Sequence, residues 1–151
     1  MKKVYISTLI LLLTSTVCIG KIKLPSDCFK ISELTEAKKE SKEKNKPLAF
    51  VYTDKNSTCG LCVRATDIII DELDSRTVLV YLESKAKAPK QVSAALSKKG
   101  QYIPKVVVFD TELQKEIGLV IYEDIEEDGD KALRPLKKEI HKHRTSQSNR
   151  F

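Results

Sequence analysis

Residues 48–62 read Leu48-Ala49-Phe50-Val51-Tyr52-Thr53-Asp54-Lys55-Asn56-Ser57-Thr58-Cys59-Gly60-Leu61-Cys62. The segment begins with apolar and β-favouring residues bounded by Pro47 and a polar loop, which predicts a strand buried on both faces. Val63–Leu73 carries apolar side chains at helical spacing, with a strand over Ile68–Ile70 as the alternative because β-branched residues lower helix propensity. We expect a central strand, a loop and a helix that begins at the two cysteines.

The two cysteines are separated by two residues, so their sulfurs lie on one face of the helix within bonding reach. Unpaired N–H groups and the positive end of the helix dipole favour a thiolate at Cys59. Cys59 is therefore the expected nucleophile, which attacks a substrate disulfide to form a mixed disulfide. Cys62, one turn into the helix, is expected to attack the Cys59 sulfur and release reduced substrate. The reverse sequence would oxidise a dithiol.

The rest of the chain alternates between strand and helix patterns, which predicts parallel pairing through crossover helices. The last two predicted strands can pair as a hairpin and add an antiparallel edge. The other expected elements are a helix from Ile31 to Lys44 capped by Ser32, a strand over 77–82, a helix over 89–99 ended by Gly100, strands over 106–109 and 116–122, and a helix over 128–143 with Leu133, Leu136 and Ile140 as its apolar stripe.

The element order and motifs resemble the thioredoxin superfamily over roughly Ser32–His143. Beside the strand–loop–CxxC–helix unit, residues 102–109 (Tyr-Ile-Pro-Lys-Val-Val-Val-Phe) look like the family's cis-proline loop and third core strand. The resemblance implies an α/β fold of three layers, α/β/α, with a central mixed sheet of about four strands flanked by helices. It also implies a cis bond before Pro104 beside the cysteines, and substrate contacts from Ile103 and from Gly60-Leu61.

Some positions depart from thioredoxins proper. Thr58 stands where they have Trp, Gly60-Leu61 stands where they have Gly-Pro, and the loop before the motif is longer. The position of their buried aspartate holds Val51, so this proton-transfer helper is missing. Exchange with ordinary thioredoxin reductase is therefore not expected. No His or Lys lies between the cysteines, and Ile103 resembles the reducing relatives, which favours a reducing potential.

The N-terminus has the pattern of an export signal. Met1-Lys2-Lys3 is a positive start, Val4–Val17 is apolar, and Cys18-Ile19-Gly20 supplies small residues for cleavage before Lys21. An uncleaved anchor and a lipoprotein at Cys18 are the alternatives. We expect an exported protein, periplasmic in a Gram-negative cell, without stable membrane insertion after cleavage. The expected divisions are a signal peptide (1–20), an N-terminal lead (21–31), a thioredoxin-like domain (32–143) and a polar tail (144–151).

Composition narrows the classes of partner. The 151 residues are 41% hydrophobic and 32% charged, as in a globular protein with one core. The net charge is +6, but basic and acidic residues are interleaved, as in Glu36–Lys44, so a nucleic-acid partner is not expected. The expected partners are protein thiols or disulfides and an unidentified envelope redox partner, with no cofactor.

Removal of the signal would leave Cys28, Cys59 and Cys62, an odd set that argues for at least one reactive or unpaired thiol. Cys28 would be a semi-buried thiol or would bond to a partner or a second copy. The main alternative function is a non-catalytic binding or chaperone module with a structural disulfide. A zinc site using His141 and His143 is disfavoured because helix residues two apart point to different faces; no metal is expected.

Overall fold

The computed structural model describes residues 20–149, and the predicted signal segment up to Ile19 lies outside them. The described residues form five strands and four α-helices. The strands are β1 (Phe29–Lys30), β2 (Leu48–Thr53), β3 (Val78–Glu83), β4 (Lys105–Phe109) and β5 (Glu116–Val120), and the helices are α1 (Leu34–Lys44), α2 (Gly60–Leu73), α3 (Lys90–Leu96) and α4 (Tyr122–Ser148). Within residues 20–149, no helix has both the length and the apolar character needed to span a membrane.

The strands form one mixed sheet in the order β1-β3-β2-β4-β5. β3 runs parallel to both β1 and β2, whereas β4 is antiparallel to β2 and to β5. The predicted central strand, β2, therefore lies between a parallel and an antiparallel neighbour. Its C-terminal end leads directly into the loop before the cysteines.

Alternating side chains of β2 and β4 build two cores, one on each face of the sheet. Ala49 and Val51 face α2 and α4, where the apolar stripe predicted in the last helix is buried. Leu48 and Phe50 face α1 and α3, and the rings of Phe50 and Phe109 meet edge to face with centroids 6.3 Å apart. Helices thus cover both faces, which confirms the three-layer α/β/α prediction.

The N-terminal lead contributes more to the sheet than the sequence indicated. Its end forms β1, so the sheet has five strands where about four were expected. The first helix also begins differently: residues 31–33 form a 3₁₀ turn and Ser32 caps nothing. The Glu33 carboxylate instead accepts the N–H of Lys30 at 2.7 Å. The helix ends as expected, with Asn45 in the left-handed conformation.

The second half of the chain departs from prediction at several boundaries. α3 ends at Leu96, short of Lys99, because the carbonyl groups of Leu96 and Lys99 accept hydrogen bonds from the buried side chain of Lys105. β5 ends at Val120, which pairs with Val106, so the ladder stops one residue short of the start of β4 at Lys105. The last helix starts six residues early, at Tyr122, and continues through the predicted polar tail to Ser148.

α4 is broken at Asp128, whose backbone is extended (φ −160°, ψ 99°). Asp128 Oδ1 accepts the N–H of Lys131 at 3.0 Å, so this side chain caps the longer second part of α4. The predicted start at Asp128 thus marks a real helix start. The additional first part, residues 122–127, lies beside the cysteines.

Candidate redox site

The cysteine pair sits where β2, its following loop and α2 meet. Cys59 is the N-cap of α2 and is bonded to Cys62, with their Cα atoms 5.3 Å apart. The Cys59 sulfur also accepts the N–H of Cys62 at 3.2 Å. Cys59 is exposed and Cys62 is half-buried, so an incoming molecule meets the Cys59 sulfur first.

The loop before the cysteines is held by short-range hydrogen bonds. Asp54 accepts the N–H of Asn56 through its side chain (2.9 Å) and that of Ser57 through its carbonyl (3.0 Å). Ser57 Oγ in turn accepts the N–H of Cys59 at 3.2 Å. The N–H of Lys55 donates to the hydroxyl of Tyr81 on β3 at 3.2 Å. The extra loop length is therefore ordered, and it fixes the backbone at the N-cap of α2.

Two buried threonines lie behind Cys62. Thr66 Oγ1 donates to the Cys62 carbonyl at 2.8 Å, and Thr53 Oγ1 at the end of β2 is 3.1 Å from Thr66 Oγ1. Val51, two residues earlier on β2, is buried in the apolar core with Val63. The interior behind Cys62 is therefore lined by neutral hydroxyl groups and apolar side chains. This threonine pair could not be predicted from the sequence, because neither residue belongs to a motif.

The predicted proline loop lies beside the disulfide. The Ile103–Pro104 peptide bond is cis, Pro104 is buried, and Ile103 lines the same groove as Cys59 and Cys62. The structure thus brings together the cysteines and Ile103, which belong to two predicted motifs that are far apart in the sequence. Leu61 is 58% exposed at the rim, and Gly60 has open space beside its Cα.

Lys105, the residue after Pro104, is a buried cation that holds this loop. Its side-chain Nζ donates to the carbonyl oxygens of Leu96 (3.0 Å), Lys99 (3.0 Å) and Gly100 (2.8 Å). All three donor positions of the ammonium are thus used, and the cation lies at the C-terminal, electronegative end of α3. Lys105 thereby connects α3 to the start of β4. The role of Lys105 could not be predicted from the sequence, because a single lysine at the start of a strand is indistinguishable there from a surface lysine.

The groove around the disulfide encloses about 680 Å³. Besides the two cysteines and Ile103, its lining consists of Gln101, Tyr102, Tyr122, Glu123 and Glu126. The rings of Tyr102 and Tyr122 meet edge to face with centroids 6.3 Å apart, and Tyr102 is 61% exposed. Partial burial raises the pKa of the Tyr122 phenol, and the Glu126 carboxylate raises it further. Glu123 accepts the N–H of Gln101 at 3.2 Å.

The histidines considered as zinc ligands are at the other end of the molecule. His141 and Asn45 line the same depression. Arg144 Nε donates a 3.2 Å hydrogen bond to the Asn45 carbonyl there. Asn45 lies near the start of β2, and the cysteine loop follows its end, about 20 Å away for a strand of this length. The structure does not bring these histidines to the cysteines, and residues 20–149 contain no cluster of His, Cys, Asp and Glu suited to a metal.

The sheet order, the CxxC disulfide at the start of α2 and the adjoining cis-proline loop define a protein of thioredoxin-like fold. No protein-family model matches the chain, and no curated protein matches it. Among solved structures, the chain is similar to one described as DsbH oxidoreductase, at 17% sequence identity and a TM-score of 0.42. The alignment covers 82% of this chain and 92% of that one.

Proposed function

We propose that this protein is a thiol-disulfide oxidoreductase of the cell envelope, which acts on protein substrates through Cys59 and Cys62 in the reducing direction. The observation that carries the proposal is the exposed Cys59 sulfur at the N-cap of α2, bonded to Cys62. A structural disulfide has no need of an open groove, whereas a sulfur that must form a mixed disulfide does. The envelope location rests on the signal pattern in residues 1–20.

The proposed cycle starts from the dithiol form. The Cys59 thiolate attacks one sulfur of a substrate disulfide, a new S–S bond joins Cys59 to the substrate, and the other substrate sulfur leaves as a thiolate. The Cys62 thiolate then attacks the Cys59 sulfur and releases the second substrate thiol. Two electrons pass to the substrate, and the protein is left with the Cys59–Cys62 disulfide. A dithiol donor must reduce that disulfide before the next cycle.

Two opposing influences act on the Cys59 thiolate. The N–H of Cys62 points at the Cys59 sulfur and the α2 dipole favours negative charge there. The carboxylates of Glu123 and Glu126 line the same groove and disfavour it. A strong oxidant of this class owes its potential to a stabilised reduced form. The two carboxylates do not stabilise the Cys59 thiolate of the reduced protein, and this supports the reducing direction.

A polypeptide is the substrate that fits the groove best. Leu61 and Tyr102 are the large hydrophobic side chains left exposed among the described residues; Tyr102 lines the disulfide groove, and Leu61 lies between the two cysteines in the chain and borders the adjoining groove. Ile103 supplies a backbone segment at the groove wall. Apolar side chains beside a backbone segment suit an extended chain that carries a cysteine.

The direct test is insulin-disulfide reduction by purified protein with dithiothreitol as the donor, comparing the wild type with Cys59→Ser. We expect turnover by the wild type and none by the variant, with Cys28→Ser retaining turnover as the matched control. Equilibration with glutathione should give a potential near that of thioredoxin, about −270 mV. Absence of turnover in the wild type would reject the enzyme in favour of a non-catalytic binding or chaperone module with a structural disulfide.

A further inference from the structure

The groove around the disulfide continues into a second groove of about 520 Å³. The two share Tyr122 and Glu126, and the second is bordered by Leu61. Their linings contain five carboxylates, which we call the acidic rim: Glu123, Glu126, Glu127, Asp128 and Asp130. Among the described residues that line the two grooves, one is basic, namely Arg64. Because the chain as a whole carries a charge of +6, the rim does not reflect overall composition.

Local structure accounts for only part of the acidic rim. Glu123 lies in the first turn of α4, where the helix dipole favours a carboxylate, and Asp128 caps the second part of α4. Glu126 and Glu127 come just before the break at Asp128, at the electronegative end of a short helical segment, where the dipole disfavours them. Neither forms an ion pair within residues 20–149. Glu126 lines the disulfide groove itself and accepts a hydrogen bond from the Tyr122 phenol, whereas Glu127 lines the adjoining groove.

A substrate cannot avoid this surface. The mixed disulfide requires a bond between the Cys59 sulfur and a substrate sulfur, so the residues on either side of the substrate cysteine must lie in or next to the groove that Glu123 and Glu126 line. Arginine or lysine side chains reach several ångströms beyond their own backbone and can contact Glu126 and Glu127 from there. An acidic side chain at the same place meets like charge.

Resting on the proposed function, we infer that the preferred substrates are polypeptides with lysine or arginine flanking the reactive cysteine. A carboxylate and a cation a few ångströms apart in water favour an encounter roughly fivefold. With two or more such contacts, we expect a substrate with basic flanking residues to be preferred over one with acidic flanking residues on the order of tenfold at low ionic strength. Since these charges are at the surface, the preference should be mostly lost in 1 M salt, where the screening length is about 3 Å.

The test uses cyclic peptide disulfides that are identical except at the positions next to the cysteines, which hold lysine, glutamine or glutamate. Purified protein is reduced beforehand and freed of donor, and the rate of peptide reduction is followed in a single turnover. Each rate is divided by the rate of the same peptide with a neutral small thiol, which removes intrinsic differences in disulfide reactivity. We expect the lysine peptide to exceed the glutamate peptide on the order of tenfold at low salt, and the ratio to approach one in 1 M salt.

The double variant Glu126→Gln/Glu127→Gln should reduce the ratio of the lysine-peptide rate to the glutamate-peptide rate severalfold. The matched control, Glu36→Gln/Glu43→Gln, changes charge equally on α1, on the opposite face of the sheet, and should keep the wild-type ratio. Equal normalised rates for the wild type, or a preference that persists in Glu126→Gln/Glu127→Gln, would overturn the inference and leave the proposed function standing. Reduction of none of the three peptides would reject the proposed function and this inference together.

Discussion

Thr53 Oγ1 and Thr66 Oγ1 lie 3.1 Å apart in the interior, and Thr66 also donates to the carbonyl of Cys62. This pair connects the end of β2 to the first turns of α2. It lies behind the half-buried cysteine, and Thr53 is two residues along β2 from Val51, the position at which the thioredoxin resemblance would place a buried aspartate. The site therefore keeps a polar connection between sheet and helix without a buried charge.

The threonine pair predicts an uneven double-mutant cycle. Thr66→Val should cost about 1–3 kcal/mol in the free energy of unfolding, because it leaves the buried hydroxyl of Thr53 without its partner. Thr53→Val/Thr66→Val should cost less than the sum of the two single changes, since neither hydroxyl is then buried alone. Urea unfolding of the oxidised proteins gives the free energy of unfolding of the wild type, the two single variants and the double variant. Strict additivity would show that the two hydroxyls are not coupled.

Lys105→Met should destabilise the fold by about 3 kcal/mol or more, because it removes charged hydrogen bonds to three carbonyl groups, two of them in the loop before Pro104. Insulin reduction should fall as well, since the position of Ile103 depends on this loop. The control is Lys99→Met, whose side chain is exposed and should change stability by less than about 0.5 kcal/mol. Equal unfolding midpoints for the two variants would contradict the role assigned to the Lys105 ammonium.

Cys28 should be a poor nucleophile in the native protein. Burial raises the pKa of its thiol to about 11, and the thiol packs against the core on the α2–α4 face. At pH 8 about one molecule in a thousand would carry the Cys28 thiolate. In the reduced protein, iodoacetamide should therefore label Cys59 well before Cys28, with Cys28→Ser used to assign the slow product.

The same pKa shift has a consequence for stability. The folded state holds the Cys28 proton more tightly than the unfolded chain does. The protonated thiol therefore stabilises the folded state below about pH 9, and this stabilisation is lost as the pH rises toward 11. Rapid labelling of Cys28 at neutral pH, or a Cys28-linked dimer on non-reducing gels, would instead support the alternative that this cysteine bonds to a partner.

The same substitution at two glycines should have opposite effects. Gly100 has φ +68°, and a Cβ there would lie 2.9 Å from Glu123 Oε2, so Gly100→Ala should destabilise by about 1–2 kcal/mol. Gly60 lies in the first turn of α2 with no neighbouring atom within 4 Å of the place a Cβ would take, so Gly60→Ala should be neutral or stabilising by up to about 1 kcal/mol. Thermal unfolding of the oxidised proteins compares them. Destabilisation by Gly60→Ala would contradict the open geometry at the motif.

Much of the fold was predictable because its signals are local. The apolar run of β2, the helical spacing after Cys62 and the stripe at Leu133, Leu136 and Ile140 each reflect the period of one element, and all are found where expected. The helix over Ile68–Ile70 formed despite its β-branched residues, because Ile69 and Ile70 are buried against the sheet. Apart from the unpredicted strand β1, the errors fall at the ends of elements, where the N–H and C=O groups find partners from elsewhere in the fold.

β1 and the first part of α4 illustrate those limits. The two residues of β1 have no periodic pattern, and they form a strand because β3 offers a free edge. Tyr122 continues an apolar run that looked like a strand, but the β4–β5 ladder ends at the Val106–Val120 pair. The acidic residues after Tyr122 then start a helix. No single segment contains the information for either outcome.

The amino-acid sequence alone was sufficient for the α/β class, the order of the main elements and the pairing of Cys59 with Cys62, since each depends on residues close together along the chain. Which groups surround that pair was decided by packing: α4 brings Glu123 and Glu126 to the groove, and the two threonines meet across β2 and α2. Their separations along the chain are bridged only when helices pack on the sheet. The charge and depth of a site are therefore properties of the folded chain, because they depend on contacts between elements.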